Sequence, residues 1–243
     1  MRVQHILIAL VCVLASLIGG FAVYAQAPAT PTGSAPTAEE RVAAIKQHLA
    51  QSQQNLKQYQ WTQTTVVSYK GEEKSSTANS CAYGADGKVV KTPVAAPAEA
   101  EGKRGLRGKV VDNKKEEMAA YMQSAVALIK SYVPPDPAKI QACKEAGKMT
   151  MTVIENGKRA KIDFKDYEKP GDNLGVEIDM ATNQILGLSV ASYLADAKDA
   201  VNLSVAMAAL PDGTGYPSTI KIDAPAKEMA VAITNSTYQK KTN

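Results

Sequence analysis

The chain has 243 residues, of which 45% are hydrophobic and 21% are charged, a composition that allows a packed core and excludes global disorder. Its two histidines, His5 and His48, exclude histidine-rich metal sites and any Ser/His/Asp or Cys/His relay that is not built on His48. The net charge of +4 is too small to indicate nucleic acid binding by itself.

The N-terminus has the layout of a secretory signal peptide. Arg2 and His5 precede an uncharged apolar run of 19 residues, 6–24, and the small residues before Gln26 predict cleavage after Ala25. We therefore expect a periplasmic or secreted protein with no stable membrane span after cleavage of residues 1–25. The alternative is a protein anchored in the membrane by an uncleaved N-terminal helix, because the run is also nearly long enough to span a bilayer.

Two cysteines remain after the leader, Cys81 and Cys143. In an oxidising compartment they predict a disulfide, which would close a loop of about 62 residues and stabilise the fold by on the order of 4 kcal/mol. The alternative is a pair of unbonded, partly buried thiols. The chain contains no C-x-x-C motif, which argues against a thiolate zinc site.

The first half of the mature chain alternates between helical and extended patterns. Residues 26–37 are rich in Pro, Ala and Thr and predict a flexible linker, after which Thr37 and Glu40 form a capping box. An apolar stripe then predicts a helix over 38–58. Alternating β-branched and aromatic residues predict strands at 60–70, 73–83 and 88–94.

A Gly-spaced basic segment and a second helix follow. Residues 95–111 show no periodicity and predict a mobile basic loop. A continuous stripe from Met118 to Tyr132 predicts an amphipathic helix that Pro134-Pro135 ends, and residues 137–146 add a short third helix.

The remainder predicts a β-meander. Strands with one apolar and one polar face are expected at 148–155, 158–168, 175–180, 184–193, 200–210, 218–223 and 228–238. Because the two main helices also carry one apolar stripe each, they are expected to cover the apolar side of the sheet. Residues 38–243 are thus predicted to form a single α+β domain, a large curved antiparallel β-sheet covered on its concave face by amphipathic helices.

The C-terminal segments MATNQILGLSV (180–190), VNLSVAMAALPDGTGYPSTIKI (201–222) and VAITNSTYQK (231–240) carry a family resemblance. Together with the order of elements behind an export signal, they resemble the periplasmic lipoprotein-carrier superfamily, the LolA/LolB-like half-barrels. The resemblance implies a half-barrel with a cavity between sheet and helices that is able to hold acyl chains. The chain departs from that pattern by a Met- and Ala-rich lining with almost no Phe, and by the absence of an Arg that matches a gating residue.

Two sets of residues are candidates for binding. Side chains that could line an apolar cavity are Trp61, Met118, Tyr121, Met122, Leu128, Val205 and Met207. Lys103, Arg104 and Arg107 lie in the basic loop and could bind anionic headgroups, although a solvated loop would have the same composition.

No catalytic residue, metal ligand or cofactor is predicted. The carboxylates Asp163, Asp166, Glu177 and Asp179 lie on adjacent strands among lysines, and cross-strand charge pairing explains them more simply than acid–base catalysis. The sequence therefore predicts an exported, non-enzymatic binding protein for a lipid or another apolar small molecule. The alternative is an envelope module with a filled core, no ligand and a protein partner.

Overall fold

The computed structural model describes the backbone of residues 38–94 and 106–241 and the side chains of residues 40–94 and 116–241. The predicted signal peptide at 1–25 and the linker at 26–37 lie outside these ranges. The elements in chain order are α1 (Ala38–Leu56), β1 (Tyr59–Tyr69), β2 (Glu72–Tyr83), β3 (Val89–Pro93), α2 (Leu106–Lys130), α3 (Pro137–Glu145), β4 (Met149–Ile154), β5 (Arg159–Lys165), β6 (Asn173–Asp179), β7 (Ile185–Tyr193), β8 (Ala200–Ala209), β9 (Gly215–Ala224) and β10 (Met229–Lys240).

The strands form one ten-stranded sheet in the order β3-β2-β1-β10-β9-β8-β7-β6-β5-β4. Each neighbouring pair is antiparallel. The last strand pairs with the first, so β10 joins the N-terminal hairpins to the C-terminal meander. The sheet keeps two open edges, β3 and β4, and does not close into a barrel. The predicted α+β class, a curved antiparallel sheet with helices, is confirmed.

Alternation along the strands separates a covered face from a wet face. In β5, Ala160 and Phe164 are buried, whereas Lys161 and Lys165 are exposed. The turn before this strand lies at Asn156 and Gly157, whose φ angles of +53° and +89° are left-handed values that this dipeptide tolerates.

The core lies between the covered face and α2. Met122, Ala125, Ile129 and Tyr132 are fully buried in the helix and its C-terminal extension. They belong to one apolar cluster with sheet residues Leu174, Val190, Val201, Leu203, Ile222, Val231 and Ile233. The spacing of the four helical residues puts them on one face, as the sequence predicts for an amphipathic helix.

Part of the segment predicted as a basic loop is helical. Helix α2 begins at Leu106, so residues 106–111 of the segment predicted as a loop at 95–111 are helical, and residues 95–105 lie outside the described part. A helix of 25 residues can extend past its apolar stripe because Leu, Arg and Lys favour helix even where no core contact selects it.

The predicted disulfide is wrong, because Cys81 and Cys143 are both buried and do not form a disulfide. Cys81 lies in β2 and Cys143 in α3, where its Sγ contacts the carbonyl oxygen of Lys165 in β5. Strands β2 and β5 stand second and ninth in the sheet order. At about 4.8 Å per strand, roughly 34 Å of sheet separates them, far beyond the reach of a disulfide.

Candidate functional site

One row of side chains crosses the covered face at right angles to the strands, and we call it the middle row. Its members are register partners in successive strands from β4 to β1: Met151, Ile162, Val176, Leu188, Val205, Ile220, Ile233 and Thr65. The four from Ile162 to Val205 are half-buried, and the following three are buried. With about 4.8 Å between strands, the half-buried stretch is roughly 14 Å long. It forms an apolar strip that the helices cover only in part.

The middle row lies between the two long helices. On one side, the next row is buried in the core cluster that includes α2, with members Leu174, Val190, Leu203, Ile222 and Val231. On the other side, Leu186 and Met207 lie two residues along β7 and β8 from Leu188 and Val205, and both line a cavity against α1. The strip and this cavity are therefore continuous along β7 and β8.

The cavity between α1 and the sheet has a volume of about 210 Å³ and is partly open to solvent. Helix α1 contributes Ile45, His48, Leu49, Ser52, Gln53 and Leu56, and the sheet contributes Gln184, Ile185, Leu186, Met207, Ala208, Ala209, Gly213 and Gly215. The lining is mostly apolar. The Nε2 atom of Gln53 is buried and has no hydrogen-bond partner, which leaves one amide donor unsatisfied in this cavity.

Polar contacts hold α1 at both of its ends. Near its start, Arg41 Nη1 donates to the carbonyl oxygen of Met180 over 2.9 Å and to Asn183 Oδ1 over 3.2 Å. Near its end, the Gly215 amide donates to Ser52 Oγ over 2.9 Å, and Asn55 Nδ2 donates to Thr214 Oγ1 over 3.0 Å. The partners lie in the β6–β7 turn and at the β8–β9 turn, so α1 runs across the ends of the strands.

The apolar part of the middle row ends at a buried polar cluster. Lys91 Nζ donates to Gln63 Oε1 over 2.5 Å, and Gln63 Nε2 donates to Asn235 Oδ1 over 2.9 Å. Trp61 Nε1 donates to the same Asn235 oxygen over 3.2 Å. Beside them, Thr65 is buried and its Oγ1 has no hydrogen-bond partner. The cluster ties β3, β1 and β10 together and limits the apolar part of the middle row to β4 through β10.

The C-terminal end of α2 is fixed by a buried hydroxyl and a carboxylate. Tyr132 Oη donates to Asp172 Oδ2 and lies 2.7 Å from Ser192 Oγ. The same carboxylate accepts the backbone N–H groups of Glu168 and Lys169 over 3.1 and 2.9 Å. Burial, together with the hydrogen bond to Asp172, raises the pKa of Tyr132 far above its usual value. This ring is therefore an anchor for the helix at any physiological pH.

The side chains expected to line a ligand site separate into three groups. Val205 lies in the middle row and Met207 lines the cavity, so the structure brings these two together. Met118, Tyr121 and Leu128 pack half-buried against the core, and Met122 is fully buried within it. Trp61 stacks on Tyr238 with ring centroids 5.5 Å apart, at the β1–β10 seam.

The sequence predicts no binding role for most residues of the strip and cavity. Ile162, Val176 and Leu188 were expected only as part of the covered face, and Ile45 and Leu49 only as part of a helical stripe. One sequence signal could have identified these residues. The apolar face of the predicted sheet is longer than the two predicted amphipathic helices can cover, so part of it must stay open.

Of the residues expected to bind anionic headgroups, Lys103 and Arg104 lie outside the described residues. Arg107 lies in the first turn of α2, in the part of the helix described by its backbone alone. Within residues 38–94 and 106–241, no helix is both long and apolar enough to cross a membrane.

The carboxylates on the wet face are held by local partners. Glu177 pairs with Arg159 across β5 and β6 over 3.0 Å, and Asp166 pairs with Lys148 over 3.2 Å. Asp179 accepts the amides of Ala181 and Thr182 in the β6–β7 turn. These contacts agree with charge pairing on a wet sheet face. Among the described side chains, no group of three or more His, Cys, Asp or Glu residues is arranged to hold a metal ion.

A hydrogen bond beside the end of α1 predicts a pH effect on stability. Tyr59 Oη donates to Asp212 Oδ2 over 2.6 Å, and this bond, with those from Thr214, lowers the pKa of Asp212 to about 2. A carboxyl whose folded-state pKa lies below its unfolded value stabilises the fold above the unfolded value, about 3.9, and this contribution is lost as the pH falls toward 2. We therefore expect Asp212→Asn to flatten the fall in urea midpoint between pH 5 and pH 2.

The companion variant Tyr59→Phe removes the donor and keeps the ring, so it should flatten part of the same fall. A urea midpoint that drops with pH in both variants as steeply as in the parent would show that this bond does not set the acid stability.

Comparisons with known proteins give distant likenesses. No known family model matches the chain, and no curated protein matches it. Among solved structures, a DUF1329 family protein from Desulfovibrio piger overlaps 83% of this chain and 93% of its own, at 10% identity and a TM-score of 0.37. The MucA/MucB complex of Pseudomonas aeruginosa gives a match over 83% of this chain and 100% of the matched chain, at 9% identity and a TM-score of 0.21. Overlaps at these TM-scores assign neither a family nor a function to the chain.

Proposed function

We propose that the protein is an exported, non-enzymatic binding protein that holds a lipid or another elongated apolar molecule on the middle row, between α1 and α2. The observation that carries the proposal is the half-buried apolar strip from Ile162 to Val205, which is continuous with the cavity under α1. Partly covered apolar surface with a few polar groups at its ends is typical of small-molecule sites.

The size of the cavity sets a condition on this function. At about 210 Å³, it lies below the roughly 300–1,000 Å³ that ligand pockets usually have. A chain-like ligand would therefore occupy the open strip and displace α1 outward. The contacts at the ends of α1 suit such a displacement, because they are a few hydrogen bonds at the turns, each of which contributes only about 1 kcal/mol.

The export part of the proposal comes from the apolar run at 6–24. The resemblance to lipoprotein-carrier half-barrels supports the ligand class, since it implies a cavity between sheet and helices. Basic residues Lys103, Arg104 and Arg107 remain candidates for contact with an anionic headgroup.

The small cavity favours a second candidate, an envelope module that has a filled core and acts through a protein partner. In that case the half-buried strip is the border of the hydrophobic core, which the helices cover only in part, and it binds no ligand. The two candidates differ in one measurable property, the saturable uptake of an apolar ligand.

Uptake of a fluorescent fatty acid by the exported protein tests the proposal. We expect saturable binding, and we expect Leu188→Gln to weaken it at least about fivefold, because a polar group placed against an apolar chain costs about 1–3 kcal/mol. The matched control is Ser204→Gln, on the exposed face of β8, which should bind as the parent does. Absence of saturable uptake by the parent would favour the filled module, whereas saturable uptake that Leu188→Gln leaves unchanged would contradict binding on the middle row.

A further inference from the structure

The open edge at β4 differs from the open edge at β3. Strand β3 is five residues long and carries Lys91 and Pro93, two residue types that protect sheet edges from pairing with other chains. Strand β4 has the sequence MTMTVI, with no charge and no proline. It is thus an edge that lacks the usual protection.

The apolar side of β4 is exposed. Met149, Met151 and Val153 are 37%, 51% and 55% exposed, and they extend the covered face of the sheet beyond Phe164, Ile162 and Ala160, their register partners in β5. None of the three belongs to the apolar cluster that the described side chains of α2 form with the sheet. The row of three is the outermost part of the same apolar face that carries the middle row.

The hydrogen-bond pattern determines which backbone groups point outward. The Lys165 amide donates to the carbonyl oxygen of Lys148, so this pair is a hydrogen-bonded pair of the β4–β5 ladder. Because such pairs alternate in antiparallel strands, Thr150, Thr152 and Ile154 also bond toward β5. The N–H and C=O groups of Met149, Met151 and Val153 therefore point to the open edge.

We propose that β4 pairs antiparallel with β4 of a second copy of this chain, around a two-fold axis at Met151. In this register Met151 faces Met151 of the other copy, and Met149 faces Val153. These are the three residues whose backbone groups point outward, so the pairing forms six backbone hydrogen bonds. It also keeps the apolar side chains of both copies on one face, as a continuous sheet requires.

The side chains and charges of the edge are self-complementary, which a two-fold interface requires. The apolar row reads Met-Met-Val in one copy and Val-Met-Met opposite it. The basic end of the strand, at Lys148, comes next to the acidic end, at Glu155, of the other copy. Lys148 keeps its ion pair with Asp166, and Glu155 keeps its ion pair with Arg159. The opposite charges at the strand ends therefore mainly avoid repulsion between the two copies and add little affinity.

The pairing has a consequence for the middle row. Since Met151 lies on the axis and also begins the middle row, the rows of both copies become collinear and form one apolar strip across two sheets. The dimer itself does not depend on whether that strip binds a ligand. With only one short strand from each copy, the interface is smaller than the roughly 1,200 Å² of a stable complex, so the association is expected in the micromolar range.

Sedimentation equilibrium of the exported protein, from about 5 to 500 µM, tests this dimer. We expect the weight-average mass to rise toward twice the monomer mass, and Met151→Lys to abolish the rise, because a lysine in an edge row prevents pairing. The matched control is Ser204→Lys, which adds the same charge on the wet face of β8, four strands from β4, and should dimerise as the parent does. Circular dichroism and urea midpoints equal to those of the parent establish that both variants fold.

Two results would overturn the proposal. One is a parent protein that stays monomeric up to 500 µM. Binding of an extended peptide to β4 by such a monomer would also count against the dimer. The other is a dimer that Met151→Lys leaves unchanged, since this would place the interface elsewhere.

Discussion

Replacing Ile129 by alanine is expected to lower the free energy of unfolding by about 2–5 kcal/mol. Ile129 is fully buried at the centre of the α2 face, in a cluster with Met122, Tyr132 and the sheet. The substitution removes apolar contacts and leaves a cavity that the packed neighbours fill only in part. Since small domains are stable by about 5–15 kcal/mol, a large share of the stability is at stake.

Urea unfolding at constant m-value measures this loss. The matched control is Leu128→Ala, one residue earlier in the same helix, where the side chain is only half-buried and a smaller loss is expected. If Ile129→Ala costs no more than Leu128→Ala, then α2 is not part of the cooperative core and its place over the sheet is not what stabilises the fold.

Strands β5 to β10 were predictable because each has one covered face. In β5, the alternation of Ile162 and Phe164 with Lys161 and Asp163 reflects burial on one side and solvent on the other. The same logic located β6, β7 and β8. The turns at Asn156-Gly157 and at Asp212-Gly213 mark boundaries, because few residue types accept the left-handed backbone angles of Asn156, Gly157 and Gly213.

The order of strands could not be derived from alternation. The pairing of β10 with β1 leaves β4 at an edge, so its apolar row is exposed although its pattern equals that of a covered strand. The disulfide prediction was wrong for the same reason, since the alternation pattern does not contain the order of the strands. Two cysteines in an exported chain suggest a bridge, but whether they meet depends on how many strands separate them.

The sequence also could not predict which apolar residues are buried in the core and which line the open strip or the cavity. Met122 and Met207 look equivalent as flexible apolar residues, but Met122 is fully buried between α2 and the sheet, and Met207 lines the cavity. The difference arises from where the helices cross the sheet. The crossing of α1 depends on side chains such as Arg41 and Ser52, whose partners lie more than 130 residues away.

The central claim is that an acyl chain binds on the middle row, and tryptophan fluorescence can test it. The chain has one tryptophan, Trp61, so Trp61→Phe gives a background without indole emission. It loses the bond from Trp61 Nε1 to Asn235, a cost of about 1 kcal/mol that the fold should tolerate. In this background, Ile162→Trp places an indole at the outer end of the half-buried strip and leaves Val176, Leu188 and Val205 unobstructed.

The control probe is Val90→Trp in the same background. Val90 is 56% exposed on β3 and pairs with Ala82, on the face opposite to that of Lys91 and Cys81. Because the indole at position 90 does not contact the middle row, it reports only collisional quenching by free ligand.

Titration of both proteins with a brominated fatty acid, whose bromine atoms quench indole emission at contact, is the most direct measurement. The proposed function predicts saturable quenching of the Ile162→Trp protein and only weak, linear quenching of the Val90→Trp protein. Equal, non-saturable quenching of both proteins would contradict binding on the middle row.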